Sequence, residues 1–227
     1  MNTEYDITSV EALRGVVGDE TPGLKDKVID HLDSYACDFL AKCPFVVLST
    51  TDAQGRVDAS PKGDAPGFVH VADDRTLWLP DRPGNRLVFG HLNVLENPQV
   101  GLLCLIPGTS ETLRINGRGT LNADPAVLQQ LAAREKPATL ALRIEVEEVF
   151  FHCAKAFIRS KLWKADEWPE RHKVSFGEMF AQRIQQQQGD SADQSESQKQ
   201  QQDQQQQQQQ LAQMIDTAVE TDYRDNL

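Results

Sequence analysis

Four cations stand in a stretch rich in Gly and Pro, "SPKGDAPGFVHVADDRTLWLPDRPGNRLVFG", residues 60–90. They are Lys62, Arg75, Arg82 and Arg86, in a chain whose formal net charge is −11. Small residues let the backbone come close to a ligand, and Lys and Arg donate charge-assisted hydrogen bonds to phosphate oxygens. The alternating apolar run between the loops predicts a strand. The stretch is therefore typical of a loop–strand–loop that binds an anion.

The elements around this stretch alternate between helical and strand patterns. Helical spacing of apolar residues predicts helices over 9–18, 23–44, 85–98, 125–135 and 154–163. Alternating or continuous apolar runs predict strands over 45–51, 56–60, 67–73, 76–80, 99–108, 111–124 and 139–153. These strands follow one another too closely for parallel crossovers. The sequence predicts an α+β fold, an antiparallel β-barrel with peripheral helices.

Composition limits the partners and the compartment. The acidic balance argues against nucleic acid as a partner, because phosphate backbones call for basic surfaces. No run of 18 apolar residues occurs, so we expect no transmembrane helix and no membrane partner. The N-terminal residues lack a signal pattern, which makes the cytoplasm the expected compartment. The 4 Cys and 5 His lack the spacing of metal ligands, so we expect no metal site.

The chain divides by composition into four parts. Residues 1–43 form an N-terminal helical segment, and residues 44–183 form the barrel domain. Residues 184–210 are dominated by Gln, with almost no apolar side chains to bury, so the composition predicts a disordered linker. Residues 211–227 predict a short amphipathic C-terminal helix.

Several sequence blocks in one order carry a resemblance to a known family. The blocks are "KCPFVVLSTTDAQGRVDASPKGDAPGFV", "LWLPDRPGNR", "NVLENPQVGLLCLIPG", "ETLRINGRG" and "HCAKAFIRSKLW". Together they resemble the FMN-binding split β-barrel proteins related to pyridoxamine 5′-phosphate oxidase, from about residue 5 to about residue 170. The resemblance implies a homodimer that holds FMN in two clefts, each lined by both subunits.

The same resemblance assigns the anion of the opening stretch. Lys62 matches the lysine with which the family grips the flavin phosphate, and Arg86 matches the arginine at the start of the following helix. Ser60 and Asn85 are neutral donors beside these cations. The alternative is that Lys62 and Arg86 are solvated surface charges. Asp58, Asp64 and Asp81 are expected to make hydrogen bonds in loops rather than to act as acids or bases.

A second group of residues is assigned to the flavin ring. Regular pairing would place Arg114, Asn116 and Arg118 on one face of their strand, where a cation near the ring stabilises reduced flavin. Ion pairs with Glu145 or Glu147 are the alternative for these arginines. The resemblance implies that a late block from the second subunit joins the ring, namely Lys155, Arg159, Ser160 and Trp163.

The resemblance implies an FMN-dependent oxidoreductase that transfers two electrons or a hydride to or from a small molecule, with NAD(P)H as a further partner. The late block "FIRSKLW" lacks the Arg-x-His element that holds the phosphate of vitamin B6 in pyridoxamine 5′-phosphate oxidase itself, which argues against that substrate. One alternative is a non-catalytic flavin- or haem-binding protein, with His91 or His152 as the axial ligand. Another alternative is an F420-dependent reductase.

Overall fold

A computed structural model describes residues 3–189 and 198–226. The α-helices are α1 (Val10–Val17), α2 (Ser34–Lys42), α3 (Phe89–Glu96), α4 (Pro125–Gln130), α5 (Lys155–Ser160), α6 (Phe176–Gly189) and α7 (Gln198–Asn226). The strands are β1 (Phe45–Thr51), β2 (Val57–Gly63), β3 (His70–Asp73), β4 (Thr76–Asp81), β5 (Gln99–Leu105), β6 (Thr112–Asn122) and β7 (Leu140–His152). Short 3₁₀ helices span Leu24–Lys27 and Ala165–Glu167.

The described residues fall into two compact units. The first holds residues 3–82 and 87–165 and contains all seven strands. The second holds residues 83–86 together with the described part of 166–226. No helix among the described residues is long and apolar enough to cross a membrane. The same residues contain no group of three or more His, Cys, Asp or Glu side chains arranged to hold a metal ion.

The seven strands form one antiparallel sheet in the order β2-β1-β5-β6-β7-β4-β3. This confirms the predicted α+β class and the antiparallel pairing. The two strands at the ends of the order, β2 and β3, do not pair with each other among the described residues, so the barrel is not closed by hydrogen bonds. An ion pair nevertheless joins Lys62 on β2 to Asp81 on β4, which stand first and sixth in the order. The sheet must therefore curl to bring these two strands together.

Alternating side chains on the central strands create a core face and an outer face. On β1 the core face carries Val46 and Leu48, which are 0 % and 1 % exposed. The core face continues through β5, β6 and β7 and is covered by α2, where Leu40 is fully buried. The outer face of β1 and β5 includes Val47 and Leu103, which are only half-buried.

The segment before β1 differs from the helix predicted over 23–44. Ile29 pairs with Val149 of β7 through two backbone hydrogen bonds of 3.0 and 2.7 Å. Helix α2 begins only after Asp33, whose carboxylate accepts a 2.8 Å hydrogen bond from the backbone N–H of Ala36. At Val149 the edge of β7 offers a free backbone N–H and C=O, which local sequence patterns do not reveal. Hydrogen bonds to these two groups replace helical hydrogen bonds at Ile29.

Helix α3 is also shorter than the helix predicted over 85–98. Arg86 and Val88 have φ angles of 61° and 48°, in the left-handed region that does not continue an α-helix. The helix therefore begins at Phe89, three residues after Arg86. Its inward side rests on Gly119 of β6, where an added Cβ would lie 3.5 Å from Val94 Cγ1.

The second unit contains a helical pair formed by α6 and α7. Asp216 of α7 accepts hydrogen bonds from the Ser175 hydroxyl at 2.7 Å and from the Gly177 backbone N–H at 2.9 Å, and these bonds satisfy donors at the start of α6. The two helices approach so closely that a Cβ on Gly177 would overlap the carbonyl oxygen of Ala212. Tertiary contacts of this kind stabilise helices whose sequence pattern is weak.

This pair changes the expectation for the Gln-rich region. The composition predicts a disordered linker over 184–210, but α6 extends to Gly189 and α7 begins at Gln198. The part of that prediction that concerns residues 190–197 lies outside the described residues. Gln has a high intrinsic helix propensity, so helices anchored by neighbouring apolar residues can continue into it. The short C-terminal segment was predicted over 211–227, and its described residues, 211–226, are the end of the longer helix α7.

Candidate functional site

Ser60 and Lys62 lie on the core face of β2, at the edge of the sheet. Their partners across the β1–β2 pair are Leu48 and Val46, which are buried in the core, and directly opposed residues share a face. β2 has a neighbour on one side only, so this face opens at the sheet edge, and the side chain of Lys62 keeps 21 % exposure. The register thus places a hydroxyl and an ammonium two residues apart in a partly enclosed space.

Lys62 is already paired in this space. Its Nζ donates a 2.6 Å hydrogen bond to Asp81 Oδ1, and the side chain of Asp81 is 19 % exposed. His91 of α3 completes the cluster, with Nε2 3.8 Å from the same carboxylate oxygen. We call these three side chains the Lys62 cluster. It joins β2, β4 and α3, which are far apart in the sheet order or in sequence.

His91 is the least exposed member of the cluster, at 8 %. Its Nδ1 is buried and has no hydrogen-bond partner. Burial lowers the pKa of His91 below its ordinary value; the Asp81 carboxylate acts against this and the Lys62 ammonium adds to it. His91 is therefore neutral at pH 7 in this arrangement, and the pair of Lys62 and Asp81 carries no net charge.

A second ion pair joins the ends of the same two strands. Arg82, just after β4, donates from Nε to Asp64 Oδ2 at 2.8 Å, and Asp64 follows β2 directly. Arg82 also donates from a terminal nitrogen to the Leu131 carbonyl at 3.0 Å. The expected role of Asp64 and Asp81 as hydrogen-bonding residues agrees with these contacts. In both cases, however, the contact spans two strands rather than one loop.

We expect Asp64→Asn to lower the free energy of unfolding at pH 7 by about 1–2 kcal/mol, because the charge-assisted bonds to Arg82 are lost. Burial raises the pKa of Asp64, but the Ala65 N–H and the Arg82 guanidinium outweigh it and hold the pKa below its usual value. A lowered folded-state pKa adds stability above the unfolded value of about 3.9, and this stability disappears as pH falls through the folded value. Urea unfolding from pH 7 down to pH 3 should therefore show the difference between wild type and variant narrowing below about pH 4.

Asp38→Asn is the matched control for this prediction. Asp38 pairs with Lys42 on the surface of α2, where both side chains are more than 60 % exposed, so its loss should change stability by less than about 0.5 kcal/mol. A difference in the free energy of unfolding between wild type and Asp64→Asn that stays constant from pH 7 to pH 3 would contradict the stabilising role assigned to the ionised carboxylate.

Arg114, Asn116 and Arg118 lie together on the outer face of β6, opposite the face that carries Lys62. Their partners on β5 are Leu103, Gly101 and Gln99, in an unbroken register. Asn116 Nδ2 donates a 2.8 Å hydrogen bond to Glu148, and Arg114 stands 5.8 Å from the centre of the Phe150 ring. Glu145, one of the two glutamates named as alternative ion-pair partners for these arginines, contacts Arg143 instead. One strand face therefore carries two exposed cations beside half-buried apolar residues.

The late block lies after β7. Lys155, Arg159 and Ser160 are exposed on the short helix α5, and the Ser160 hydroxyl donates to the Phe157 carbonyl at 3.2 Å. Trp163 stacks on Phe157 with ring centres 5.6 Å apart and donates from Nε1 to the Thr109 carbonyl at 2.8 Å. Trp163 thus packs within its own chain and fixes the position of α5.

The remaining predicted residues, Asn85 and Arg86, are exposed and belong to the second unit. Their participation in the same site as Lys62 stays a prediction. The geometry also shows what the sequence pattern missed, namely that Asp81 pairs with Lys62 and that His91 lies beside Asp81. Only a three-dimensional arrangement reveals these contacts, because Lys62 and Asp81 are 19 residues apart and no motif connects them.

The chemistry of these side chains suits a phosphate ester better than a neutral ligand. An ammonium and a hydroxyl on the same face of β2 provide a charged and a neutral donor, and both are oriented by the strand. The donor set around Lys62 therefore fits the phosphate of FMN.

His152, at the end of β7, is half-buried; burial lowers its pKa, with contributions from Arg114 and Lys27.

The sequence profile of the pyridoxamine 5′-phosphate oxidase family matches residues 33–153, which is more than half of the chain. The chain therefore belongs to this family. The matched region includes every strand of the sheet, the Lys62 cluster and the cations of β6. No curated protein matches the chain in sequence.

Solved structures of several proteins are similar to this chain. A putative pyridoxamine 5′-phosphate oxidase from Lactobacillus delbrueckii is 23 % identical, with a TM-score of 0.43, over 54 % of this chain and 95 % of its own. HupZ from Group A Streptococcus is 16 % identical, with a TM-score of 0.43, over 52 % and 92 %. HutZ, the heme storage protein from Vibrio cholerae, is 15 % identical, with a TM-score of 0.38, over 53 % and 93 %.

Proposed function

We propose that this chain binds FMN and uses it as an oxidoreductase that acts on a small molecule. The observation that carries the proposal is the partly enclosed ammonium of Lys62, which shares the core face of β2 with the hydroxyl of Ser60. A flavin phosphate carries nearly two negative charges and requires donors of this kind. Membership of the pyridoxamine 5′-phosphate oxidase family supports the flavin as the bearer of that phosphate.

The distribution of the other cations supports a homodimer. Lys62 lies on the core face of the sheet, whereas Arg114, Asn116 and Arg118 lie on its outer face. One flavin can contact both groups if the second group comes from a second copy of the chain. The outer face offers half-buried Val47 and Leu103 for such a contact, which buries apolar surface. Lys155, Arg159, Ser160 and Trp163 are proposed to come from the second copy as well.

Each group has a distinct role in this proposal. Bound FMN would supply hydride or two-electron transfer. Lys62 and Ser60 hold the phosphate, and the predicted contribution of Arg86 and Asn85 adds further donors. Arg114 supplies positive charge at the ring edge, which favours the reduced, anionic form of a flavin. The chain has no assigned catalytic acid or base, and the small molecule and NAD(P)H are proposed partners.

A visible absorption spectrum of the purified full-length protein tests this function, with mass spectrometry of whatever heat releases. We expect oxidised flavin bands and FMN in the supernatant, and bleaching of those bands by NAD(P)H in the absence of oxygen. Protein purified without cofactor should bind added FMN with quenching of flavin fluorescence.

Other outcomes lead to different conclusions. Tightly bound FMN that no nicotinamide and no small-molecule oxidant changes would identify a flavin carrier. Release of F420 or of haem on heating would identify that molecule, and not FMN, as the cofactor. A colourless protein that also ignores added FMN would overturn the phosphate site at Lys62.

A further inference from the structure

Lys62 cannot accept a phosphate without changing the surroundings of Asp81. The 2.6 Å contact between Lys62 and Asp81 neutralises both charges in a space where their side chains are about one-fifth exposed. A phosphate monoester brings between one and two additional negative charges to the ammonium. Whether Lys62 leaves Asp81 or stays between the two anions, the Asp81 carboxylate is left in an environment with excess negative charge.

His91 is the group that can offset this charge. Its Nε2 is already 3.8 Å from Asp81 Oδ1, and a small movement would bring it into a hydrogen bond. Its Nδ1 is buried without a partner, so neutral His91 gains nothing from that nitrogen in the present arrangement. Packing of α3 on the core side of β1, β2 and β6 keeps His91 within reach of Asp81.

The other groups that face α3 leave His91 as the available base. β6 presents the small residues Gly117 and Gly119 towards this side, and β1 presents the neutral hydroxyl of Thr50, which receives a 3.0 Å bond from Asn93. β2 also presents Asp58, four residues from Lys62 along the strand; its Oδ2 would lie 3.4 Å from a Cβ on Gly90, the residue before His91. β4 contributes Asp81 itself.

We propose that anion binding at Lys62 is coupled to protonation of His91, and that Asp81 exchanges Lys62 for His91 as its partner. One proton moves from solvent to the imidazole, no other bond forms or breaks, and the imidazolium presents its Nε2–H to Asp81. This inference rests on the proposed function in so far as the anion is the phosphate of FMN. It assigns Asp81 and His91 as positioning residues for the cofactor.

The direction of the effect follows from the charges. Burial lowers the pKa of His91, and Lys62 contributes to the lowering. In the site without ligand, His91 is therefore neutral at any pH above the ordinary histidine pKa of about 6.5. A phosphate on Lys62 cancels the repulsion from the ammonium and adds attraction. The midpoint of His91 should then rise by about one pH unit or more. At a pH between the ligand-free and the FMN-bound midpoint, FMN binding takes up a fraction of a proton, about one half for a shift of one pH unit.

Proton NMR titration of the imidazole signals tests the coupling in the full-length protein, in phosphate-free buffer. The chain has 5 His, and the His91→Gln variant assigns the signal of interest. We expect FMN to raise the midpoint of His91, whereas riboflavin, which lacks the phosphate, leaves it unchanged. An unchanged midpoint in protein that has bound FMN would overturn the inference and leave the proposed function intact. Failure to bind FMN at all would overturn the proposed function and this inference with it.

Calorimetry of FMN binding in two buffers of different ionisation enthalpy gives a second readout. At a pH between the two midpoints of His91, the wild type should take up more protons than His91→Gln, by about half a proton for a shift of one pH unit. Ionisation of the FMN phosphate contributes equally to both proteins and cancels. If His91→Gln fails to fold, Asp81→Asn replaces it, and this variant should take up fewer protons than the wild type. Asp64→Asn, which disrupts the neighbouring ion pair, should take up as many protons as the wild type. Equal proton uptake in wild type, His91→Gln and Asp81→Asn would contradict the coupling.

Discussion

Lys62→Met is expected to weaken FMN binding roughly 10- to 100-fold. The substitution removes a charge-assisted donor to the phosphate, and hydrogen bonds to charged groups contribute about 1.5–3 kcal/mol. Riboflavin affinity should change little, because riboflavin has no phosphate to lose a contact. Quenching of flavin fluorescence by the protein measures both affinities. Lys62→Arg, which keeps the charge on a longer side chain, should retain part of the affinity.

This variant also leaves Asp81 without its cation, so folding has to be verified by circular dichroism and by the midpoint of thermal unfolding. Lys42→Met is the matched control, since Lys42 pairs with Asp38 on the exposed side of α2 and should affect neither flavin. Equal FMN affinity in wild type and a folded Lys62→Met would place the phosphate elsewhere on the chain. A parallel loss of FMN and riboflavin affinity would indicate damage to the fold rather than to a phosphate site.

Gly117→Ala is expected to destabilise the first unit by about 3–5 kcal/mol. Gly117 lies opposite Val146, where the β6–β7 register shifts after Asn116. A Cβ at this position would overlap the backbone carbonyl oxygen of Glu145, and a backbone atom in the middle of a sheet cannot move aside as a side chain can. For a protein of this size the midpoint of thermal unfolding should fall by about 10 °C or more.

Two other glycines calibrate this result. At Gly119 an added Cβ meets only side-chain atoms, of which the nearest is Leu142 Cδ1 at 2.9 Å, so Gly119→Ala should cost less, about 1–3 kcal/mol. At Gly15, inside α1, an added Cβ would meet no atom within 4 Å beyond its chain neighbours and the backbone of its own helix, and Ala should raise stability slightly through its helix propensity. A thermal midpoint for Gly117→Ala that matches the Gly15→Ala value would contradict the register of β6 and β7.

The contact between Lys62 and Asp81 gives the cluster a role in the fold beside its proposed role in binding. It is one of two ion pairs that join the ends of β2 and β4, and the other is Asp64 with Arg82. The charges are arranged in opposite order on the two segments, so a slip of either strand would place like charges together. Such a slip would be disfavoured, which helps to fix how the sheet curls. A ligand that competes for Lys62 therefore acts on a contact that also shapes the barrel.

Local patterns predicted those features whose causes lie within a few residues. The apolar run of β1, the turn at 52–55 and the return into β2 were predicted, because the turn residues and the period of two are visible in sequence. The start of α4 was predicted from Asp124 followed by Pro125, and the Asp124 carboxylate does accept from the Ala126 N–H at 2.9 Å. The shared strand face of Arg114, Asn116 and Arg118 followed from alternation alone.

Other features depend on residues that are distant in sequence. The segment around Ile29 has helical spacing, but the edge of β7 offers it two backbone hydrogen bonds, and these decided its conformation. Helix α3 starts late because Arg86 and Val88 turn with positive φ, a conformation that no propensity predicts for valine. The helices at both ends of the Gln-rich region form where they pack, around Gly177 and Ala212.

The same division applies to the site. Sequence by itself determined the class of fold, the family and the identity of Lys62 as a cation in a suitable strand, since these depend on residue types and short-range spacing. Only the tertiary structure decided what surrounds Lys62, because curling of the sheet brings β4 and α3 to β2, which places Asp81 beside the ammonium and His91 beside Asp81. The reason is physical: the strength of a charge depends on its distance to other charges and on its burial, and sequence spacing determines neither.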